Sequence, residues 1–255
     1  MTMTQNEEAP SPVRKQHEQM LKLVSKGFFN ELTKYGVNHA EVLTVAGHLL
    51  DNVLQGTQQA GPDPEHYNRL FGIKDVRDDW NASKQLSLQQ VSLVPFDLRW
   101  TPILLDWLKV PAASDSFYPQ FPEKEADLRK YVTSAGRDYF CILHEGEPSG
   151  IIGAENIDVH SARLEMRKLV GNPSARGKGI GKRATFLFLF HTFLIRKFYK
   201  VFLHSMDINI RNLNLNSRFG FALEGVFFEE AVIQGRRQDV VRMSLTNPVW
   251  TGLFS

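Results

Sequence analysis

Apolar residues recur at helical spacing over the first sixty residues of the chain. Ser11-Pro12 is suited to start a helix, with proline at the first helical position. The apolar positions that follow are Met20, Leu21, Val24, Phe28, Leu32 and Tyr35, before Gly36. Asn38-His-Ala-Glu41 has the form of a capping box, and a second apolar face runs from Val42 to Leu54. The pattern predicts two amphipathic helices, which must bury these faces against each other and the rest of the protein.

A third helical stretch, of less regular spacing, is predicted over residues 66–80, after the chain break at Gly61-Pro-Asp-Pro64. Residues 1–86 are therefore predicted to form a small all-helical N-terminal domain, with residues 1–10 disordered. Residues 87–255 are predicted to form a second, larger domain. Three roles stay open for the helical region: a structural cap, a surface that docks a partner or covers the substrate, or a dimerisation element.

After residue 87 the pattern changes to short apolar runs bounded by turn residues, which is typical of strands. The predicted strands are Val91–Phe96, Tyr139–His144, Ser149–Ile157, Leu164–Val170 and Lys200–Asp207. Helices are predicted at Trp100–Leu108, Glu123–Thr133 and Gly181–Tyr199. The last of these is apolar around most of its circumference, so we expect cover on both sides. The sheet provides one cover, and the N-terminal helices or a second subunit provide the other.

The composition is that of a globular chain: 42% of the 255 residues are hydrophobic and the formal net charge is +2. The charge is unevenly placed, because residues 161–200 hold ten Lys or Arg side chains and a single acidic residue, Glu165. This basic segment centres on one loop, which favours a polyphosphate ligand over a nucleic-acid surface. A solvated basic face is the alternative.

A single cysteine, Cys141, excludes an internal disulfide and agrees with a reducing compartment. Residues 1–19 are polar, so no signal peptide is expected. The longest apolar run, Ala184–Ile195, is too short to cross a bilayer. The sequence predicts a cytoplasmic protein that has no membrane partner.

The segment Arg176-Gly177-Lys178-Gly179-Ile180-Gly181 lies between the strand ending at Val170 and a helix. A glycine-rich turn at a helix start leaves unpaired N–H groups at the positive end of the helix dipole, which suits an anion such as phosphate. The glycines allow close approach of the backbone, and Lys182 adds charge. The spacing does not match a dinucleotide-binding fingerprint, because no acidic residue follows about twenty positions on.

The loop and the segments after it resemble the GCN5-related N-acetyltransferase (GNAT) superfamily. The resemblance rests on Arg-x-x-Gly-x-Gly, the helix and strand that follow, and Asn209 to Phe221. Leu203-His204, Glu224-Gly225 and Gly235-Arg-Arg-Gln-Asp239 resemble the branch of spermidine, amino-sugar and ribosomal-protein N-terminal acetyltransferases. The resemblance implies an α/β fold, a mixed and mostly antiparallel sheet flanked by helices, behind the helical N-terminal domain.

The resemblance also implies acetyl-CoA, or another acyl-CoA, as the co-substrate, and no metal. Its pyrophosphate would bind at residues 176–182, in this chain Arg176, Gly177, Lys178, Gly179, Ile180, Gly181 and Lys182. Backbone groups near Leu169, Val170 and Gly171 would bind pantetheine and the acetyl oxygen. Asn209 would lie near the pantetheine arm.

Acetyl transfer to an amine needs a base for the ammonium proton. Glu165 and His204 are the catalytic candidates: Glu165 on a half-buried strand, and His204 as a side chain that titrates near neutral pH. Pairing with Arg163 or Arg167 is the structural alternative for Glu165. Glu155 is a weaker candidate and is assigned, with Glu229 and Glu230, to binding of the acceptor.

Asn216 stands where many members of the family carry a tyrosine, the presumed general acid. An amide supplies no proton near neutral pH, so the thiolate leaves unassisted, another group protonates it, or the catalytic power is low.

The sequence thus predicts an acetyl-CoA-dependent N-acetyltransferase acting on a primary amine of a small molecule: an amino sugar, a polyamine or an amino-acid derivative. Two alternatives stay open, acylation of a protein N-terminus or from a carrier, and a non-catalytic CoA-binding module. A homodimer and a protein partner of the N-terminal helices are the partners left open, and nucleic acid is not expected.

Overall fold

The computed structural model describes residues 12–34, 36–56, 67–110, 120–206 and 210–255. These residues fall into two compact units. One unit contains helices α1 (Pro12–Lys34) and α2 (His39–Gly56), which confirms both predicted helices. The capping box is present: Asn38 Oδ1 accepts from the N–H of Glu41 at 3.1 Å, and Glu41 Oε2 accepts from the N–H of Asn38 at 2.8 Å. The predicted disorder of residues 1–10 lies outside the described residues.

The second unit contains the sheet and the remaining helices. Its helices are α3 (Trp80–Ser83), α4 (Thr101–Leu108), α5 (Glu125–Val132), α6 (Ile180–Phe190), α7 (Ile210–Ser217) and α8 (Asn247–Phe254). Its strands are β1 (Arg77–Asp79), β2 (Gln85–Leu88), β3 (Val91–Pro95), β4 (Asp138–His144), β5 (Glu147–Asp158), β6 (Arg163–Val170), β7 (Lys200–Met206), β8 (Ala222–Ile233) and β9 (Arg236–Thr246). The five predicted strands are confirmed within one or two residues at their described ends, and Asp207, the predicted end of the last of them, lies outside the described residues.

The third predicted helix, over residues 66–80, is wrong. Residues 67–69 and 73–75 form single 3-10 turns, and strand β1 follows them and pairs with β2. Gly72 and the charged run Arg77-Asp-Asp79 interrupt the helical spacing, and Tyr67 and Phe71 are buried whereas Leu70 is exposed. The division between domains at residue 86 stays a prediction, although β1 and part of β2 precede it and belong to the sheet.

The sheet has the strand order β1-β2-β3-β4-β5-β6-β7-β9-β8 among the described residues. Every neighbouring pair is antiparallel except β6 and β7, which are parallel because the chain crosses over through α6. This confirms the predicted mixed, mostly antiparallel sheet. The parallel ladder is short: it joins Arg163, Leu164 and Glu165 to Lys200, Val201 and Phe202, and the two strands share no pair beyond it.

Helix α6 is covered on both sides, as predicted. Lys168 of β6 reaches Thr185 on its sheet side. On its other side the Phe186 ring lies 5.4 Å from Trp250 and 5.1 Å from Phe254, both of the C-terminal helix α8. Phe71 also packs on Phe186, at 5.4 Å. The sequence analysis assigned this cover to the N-terminal helices or a second subunit, whereas α8 provides much of it. In the described part of the chain no helix is both long and apolar enough to cross a membrane.

Candidate active site

Strands β6 and β7 separate after their three paired residues, and the opening between them is the centre of the candidate site. Along an antiparallel ladder, backbone groups point alternately toward each neighbouring strand. Strand β6 pairs with β5 up to Val170, so its groups on the other side lie along the opening. Leu169 and Val170 lie at this end of β6, and their assignment to pantetheine and the acetyl oxygen stays a prediction. The N–H of Gly171 instead donates to the Ser149 carbonyl at 3.0 Å.

The glycine-rich loop connects the end of β6 to α6. Gly177 and Gly179 have φ of +80° and +73°, in the left-handed region that favours glycine. Gly179 is the N-cap residue of α6, so no side chain caps the first N–H groups of the helix. A Cβ on Gly179 would lie 2.8 Å from Lys182 Cε and 2.9 Å from Arg183 Nη1. The loop thus presents open amides and two cationic side chains, which fits a pyrophosphate group.

Arg183 braces this loop from a distant part of the chain. Its Nε donates to Gln89 Oε1 at 2.7 Å, across 94 residues, and its Nη1 donates to the Lys178 carbonyl at 3.0 Å. Gln89 lies in the turn between β2 and β3. Sequence reasoning missed Gln89, because a glutamine in a short turn carries no local signal of what it contacts.

Lys168 is a second residue that sequence reasoning missed. Its Nζ donates to Thr185 Oγ1 at 2.6 Å, and that hydroxyl donates to the Gly181 carbonyl at 2.8 Å. Lys168 therefore lies against the second turn of α6. Burial lowers the pKa of the Lys168 ammonium to about 8. The available signal in the sequence was a lysine within strand β6, close to the glycine-rich loop.

Glu165 and His204 lie together at the other side of the opening. His204 Nδ1 is 2.9 Å from Glu165 Oε1, and Asn156 Nδ2 donates to Glu165 Oε2 at 2.7 Å. The side chain of Glu165 is 3% exposed and that of His204 is 16% exposed. The buried carboxylate therefore orients the imidazole, and His204 is the member of the pair that an acceptor can reach.

Glu155, directly opposite Glu165 in the ladder, is held by a separate cluster. Tyr139 donates to its Oε1, Tyr131 donates to Oε2 at 2.9 Å, and Arg167 Nη1 donates to Oε2 at 3.0 Å. Burial raises the pKa of Tyr139 well above its ordinary value, so this hydroxyl stays a donor. Glu155 is 2% exposed and both oxygens are engaged, which favours a structural role. Its assignment to acceptor binding stays a prediction.

Comparison with known proteins finds similarity to one family. The model of the Acetyltransferase (GNAT) family matches residues 104–221. The spermidine N(1)-acetyltransferase of Escherichia coli strain K12 is 25% identical over 128 residues, which are 50% of this chain and 68% of that protein. That of Vibrio cholerae serotype O1 is 28% identical over 143 residues, 55% of this chain and 78% of that protein. Residues 104–221 of the chain are therefore similar to the GNAT family.

Solved structures show the same GNAT fold. The spermidine N-acetyltransferase from Vibrio cholerae, in complex with CoA and spermine, has a TM-score of 0.59 at 21% identity, covering 64% of this chain and 98% of that one. A dodecameric form of spermidine N-acetyltransferase from Vibrio cholerae has a TM-score of 0.55 at 22% identity, covering 62% and 95%. Helices α1 and α2 lie N-terminal to the residues that the GNAT family model matches.

Four candidate residues from the sequence analysis remain: Asn216, Glu229, Glu230 and Asn209. Asn216, near the end of α7, is 1% exposed, and its Oδ1 has no hydrogen-bond partner among the residues described. Glu229 and Glu230 are exposed on the edge strand β8, where the Glu229 N–H donates to Asp239 at 2.7 Å. Asn209 falls outside the described residues.

No group of three or more His, Cys, Asp or Glu side chains within the described ranges could hold a metal ion. The expectation that the GNAT domain works without a metal stays a prediction.

Proposed function

We propose that this protein is an acetyl-CoA-dependent N-acetyltransferase whose acceptor is a polyamine. The observation that carries the proposal is the opening between β6 and β7, with the glycine-rich loop at one end and the Glu165–His204 pair beside it. A cofactor-binding loop alone would be equally consistent with a non-catalytic CoA-binding module. A buried carboxylate that orients a more exposed histidine adds a group able to move a proton.

Acetyl-CoA supplies an activated acetyl group as a thioester. Residues 176–182 would hold its pyrophosphate through the amides at the start of α6. Of Leu169 and Val170, the residue whose backbone groups face the opening and not β5 would hold the acetyl carbonyl, and its N–H would donate to the negative charge that develops on the oxygen. Preorganised donors of this kind need no rearrangement during the reaction.

His204 would act as the base. An alkyl ammonium, with a pKa near 10.4, must lose a proton before its nitrogen can attack a carbonyl. With Nδ1–H directed at Glu165 Oε1, the lone pair of the imidazole lies on Nε2, which takes this proton. Glu165 then stabilises the imidazolium that forms, as the carboxylate of a catalytic triad does.

The polyamine acceptor is supported by the relatives. Two curated relatives are spermidine N(1)-acetyltransferases, and a solved relative binds CoA and spermine. A polyamine is a flexible polycation, so carboxylates near the opening would orient it. The exposed Glu229 and Glu230 are the proposed acceptor carboxylates.

The proposal includes self-association, supported by the dodecameric relative. Light scattering during size-exclusion chromatography tests this part, and a monomer at all concentrations would contradict it. A cytoplasmic location and a protein partner of the N-terminal helices stay predictions.

The deciding experiment measures thiol release from acetyl-CoA with a panel of amines: spermidine, spermine, an amino sugar and a peptide with an unblocked N-terminus. We expect acetylated product with the polyamines and a kcat/KM at least about tenfold above the other amines. Preference for the amino sugar or the peptide would contradict the acceptor only. Binding of acetyl-CoA without acetylation of any amine would contradict the enzyme and favour the binding module.

His204→Ala and Glu165→Gln are the active-site controls. Each should lower kcat by at least about a hundredfold at neutral pH. Activity should partly return as the pH rises, because solvent then deprotonates the amine.

A further inference from the structure

Strand β5 contains a bulge directly beside the Glu165–His204 pair. Glu155 is opposite Glu165 and Asp158 is opposite Arg163, so Asn156 and Ile157 on β5 face Leu164 alone on β6. Asn156 has φ of +49°. This left-handed conformation is one that asparagine tolerates better than most residues with a side chain. The bulge re-aims the Asn156 side chain along the sheet face that carries Glu165.

Asn156 contacts the proposed base only through Glu165. Its Nδ2 donates to Oε2 of Glu165 at 2.7 Å, while Oε1 of the same carboxylate lies 2.9 Å from His204 Nδ1. A carboxylate with one anchored oxygen cannot rotate without breaking a hydrogen bond. The amide therefore holds the other oxygen in place for the imidazole.

We propose that Asn156 is a positioning residue for acetyl transfer, which sets the orientation of His204 by anchoring Glu165; this rests on the proposed function. A bulge that breaks the ladder and holds a residue with a side chain at positive φ has a cost in stability. The hydrogen bond that the Asn156 side chain donates to Glu165 is the contact that offsets this cost in stability. In other sites, a hydrogen-bond partner behind the histidine fixes the orientation and tautomer of the ring in the same way.

The charged groups around the pair belong to three strands. Arg242 of β9 is the register partner of His204, Glu155 of β5 is the partner of Glu165, and Arg167 follows Glu165 by two residues on the same face of β6. Asn156 is neutral. Replacing it with another neutral residue leaves these charges in place, so the effect on turnover reports orientation and not net charge.

The test is Asn156→Gly, which removes the amide and keeps the left-handed conformation. The matched control is Glu145→Gly, at an exposed hairpin turn with φ of +54°. We expect Asn156→Gly to lower kcat about tenfold, with KM for acetyl-CoA within about twofold of wild type. Both variants should have the same melting temperature within a few degrees. The control should turn over at the wild-type rate.

A double-mutant cycle separates positioning from a general structural role. If Asn156 acts through Glu165, then Asn156→Gly should cost nothing further in a Glu165→Gln background, because the carboxylate that it anchors is already gone. Additive losses would overturn the proposal. An unchanged kcat in the single variant would also overturn it.

A measurement without turnover keeps this inference separate from the proposed function. The ¹⁵N shifts of the His204 ring report which nitrogen carries the proton. In wild type we expect Nδ1–H as the dominant neutral tautomer, and in Asn156→Gly a mixture of both. The same single tautomer in both proteins would overturn the positioning role, even if no amine is acetylated by wild type.

Discussion

Asn216 stands at the position where the resemblance to the GNAT superfamily implies a tyrosine, the presumed general acid. The thiol of CoA resembles a cysteine thiol, whose pKa is about 8.5, so its thiolate is an acceptable leaving group. The ammonium proton, by contrast, must be removed before attack. The base should therefore matter more than the acid.

We accordingly predict that Asn216→Ala lowers kcat by less than about tenfold, or about 1.4 kcal/mol. The side chain is buried and its Oδ1 has no partner among the described residues, so the substitution should also cost little stability. Steady-state kinetics and thermal unfolding measure both quantities. Complete loss of turnover at unchanged acetyl-CoA affinity would mean that Asn216 orients the acceptor or a water molecule.

At the scale of one element, the loop before α6 offers a direct test of the cofactor site. Gly179→Asp should abolish acetyl-CoA binding. Its Cβ would meet Lys182 Cε at 2.8 Å, its left-handed φ disfavours a side chain, and its carboxylate would repel phosphate. Calorimetry measures the affinity.

Gly146→Asp is the matched control for this substitution, because Gly146 has φ of +86° in the exposed β4–β5 turn, where a Cβ would have nothing within 4 Å. It should bind acetyl-CoA like wild type. Unchanged affinity in Gly179→Asp would refute the assignment of the loop.

His191, in the π-helical segment His191–Ile195 that continues α6, predicts how stability depends on pH. The His191 ring packs between two aromatic rings: its centroid lies 4.4 Å from that of Trp80 and 4.9 Å from that of Phe140. Burial, with a smaller effect of Arg196, lowers its pKa to about 4 from the ordinary 6.5. Between about pH 6.5 and pH 4, the unfolded chain therefore binds a proton at this histidine that the folded protein does not bind. The stability that neutral His191 contributes is complete above about pH 6.5 and is lost as the pH falls through 4.

His191→Phe should therefore reduce the loss of stability between pH 6.5 and 4, by up to about 3 kcal/mol. Urea unfolding at the two pH values measures the difference. His160→Gln, at an exposed histidine, is the control and should follow wild type. An equal loss in His191→Phe and wild type would show that the acid sensitivity arises at other groups.

For the whole molecule, the segment before β3 contributes core side chains to the sheet unit. Phe71 packs on Phe186, Trp80 packs on His191, and Leu86 is fully buried. A chain that begins at Pro64 keeps these residues, whereas one that begins at Gln89 loses them. We expect the shorter chain to be less stable by more than about 3 kcal/mol and prone to aggregate.

Denaturant unfolding and light scattering of the two truncated chains measure this difference. Equal stability of the two chains would mean that residues 64–88 add nothing to the core, as an independent helical N-terminal domain would predict.

The features that could be predicted from the sequence are those that depend on local pattern. Helical spacing and the capping box at Asn38 identified α1 and α2, because both signals lie within one or two turns. The strands that precede and follow α6 in the chain were identified from short apolar runs. The loop at residues 176–181 was recognisable because its glycines and basic residues are adjacent in the chain. For the same reason the segment at 66–80 was mistaken for a helix, since scattered apolar residues there only resemble the helical period.

Which side chains meet depends on the three-dimensional arrangement of the strands. Glu165 and His204 are 39 residues apart, and Gln89 and Arg183 are 94 apart. These pairs depend on strand register and on where each side chain points. A one-residue shift in register moves every side chain of a strand to the other face, and the bulge at Asn156 makes such a change locally. Residue type identified the candidate base, but the ladder between β5, β6 and β7 determined that Glu165 is buried behind His204.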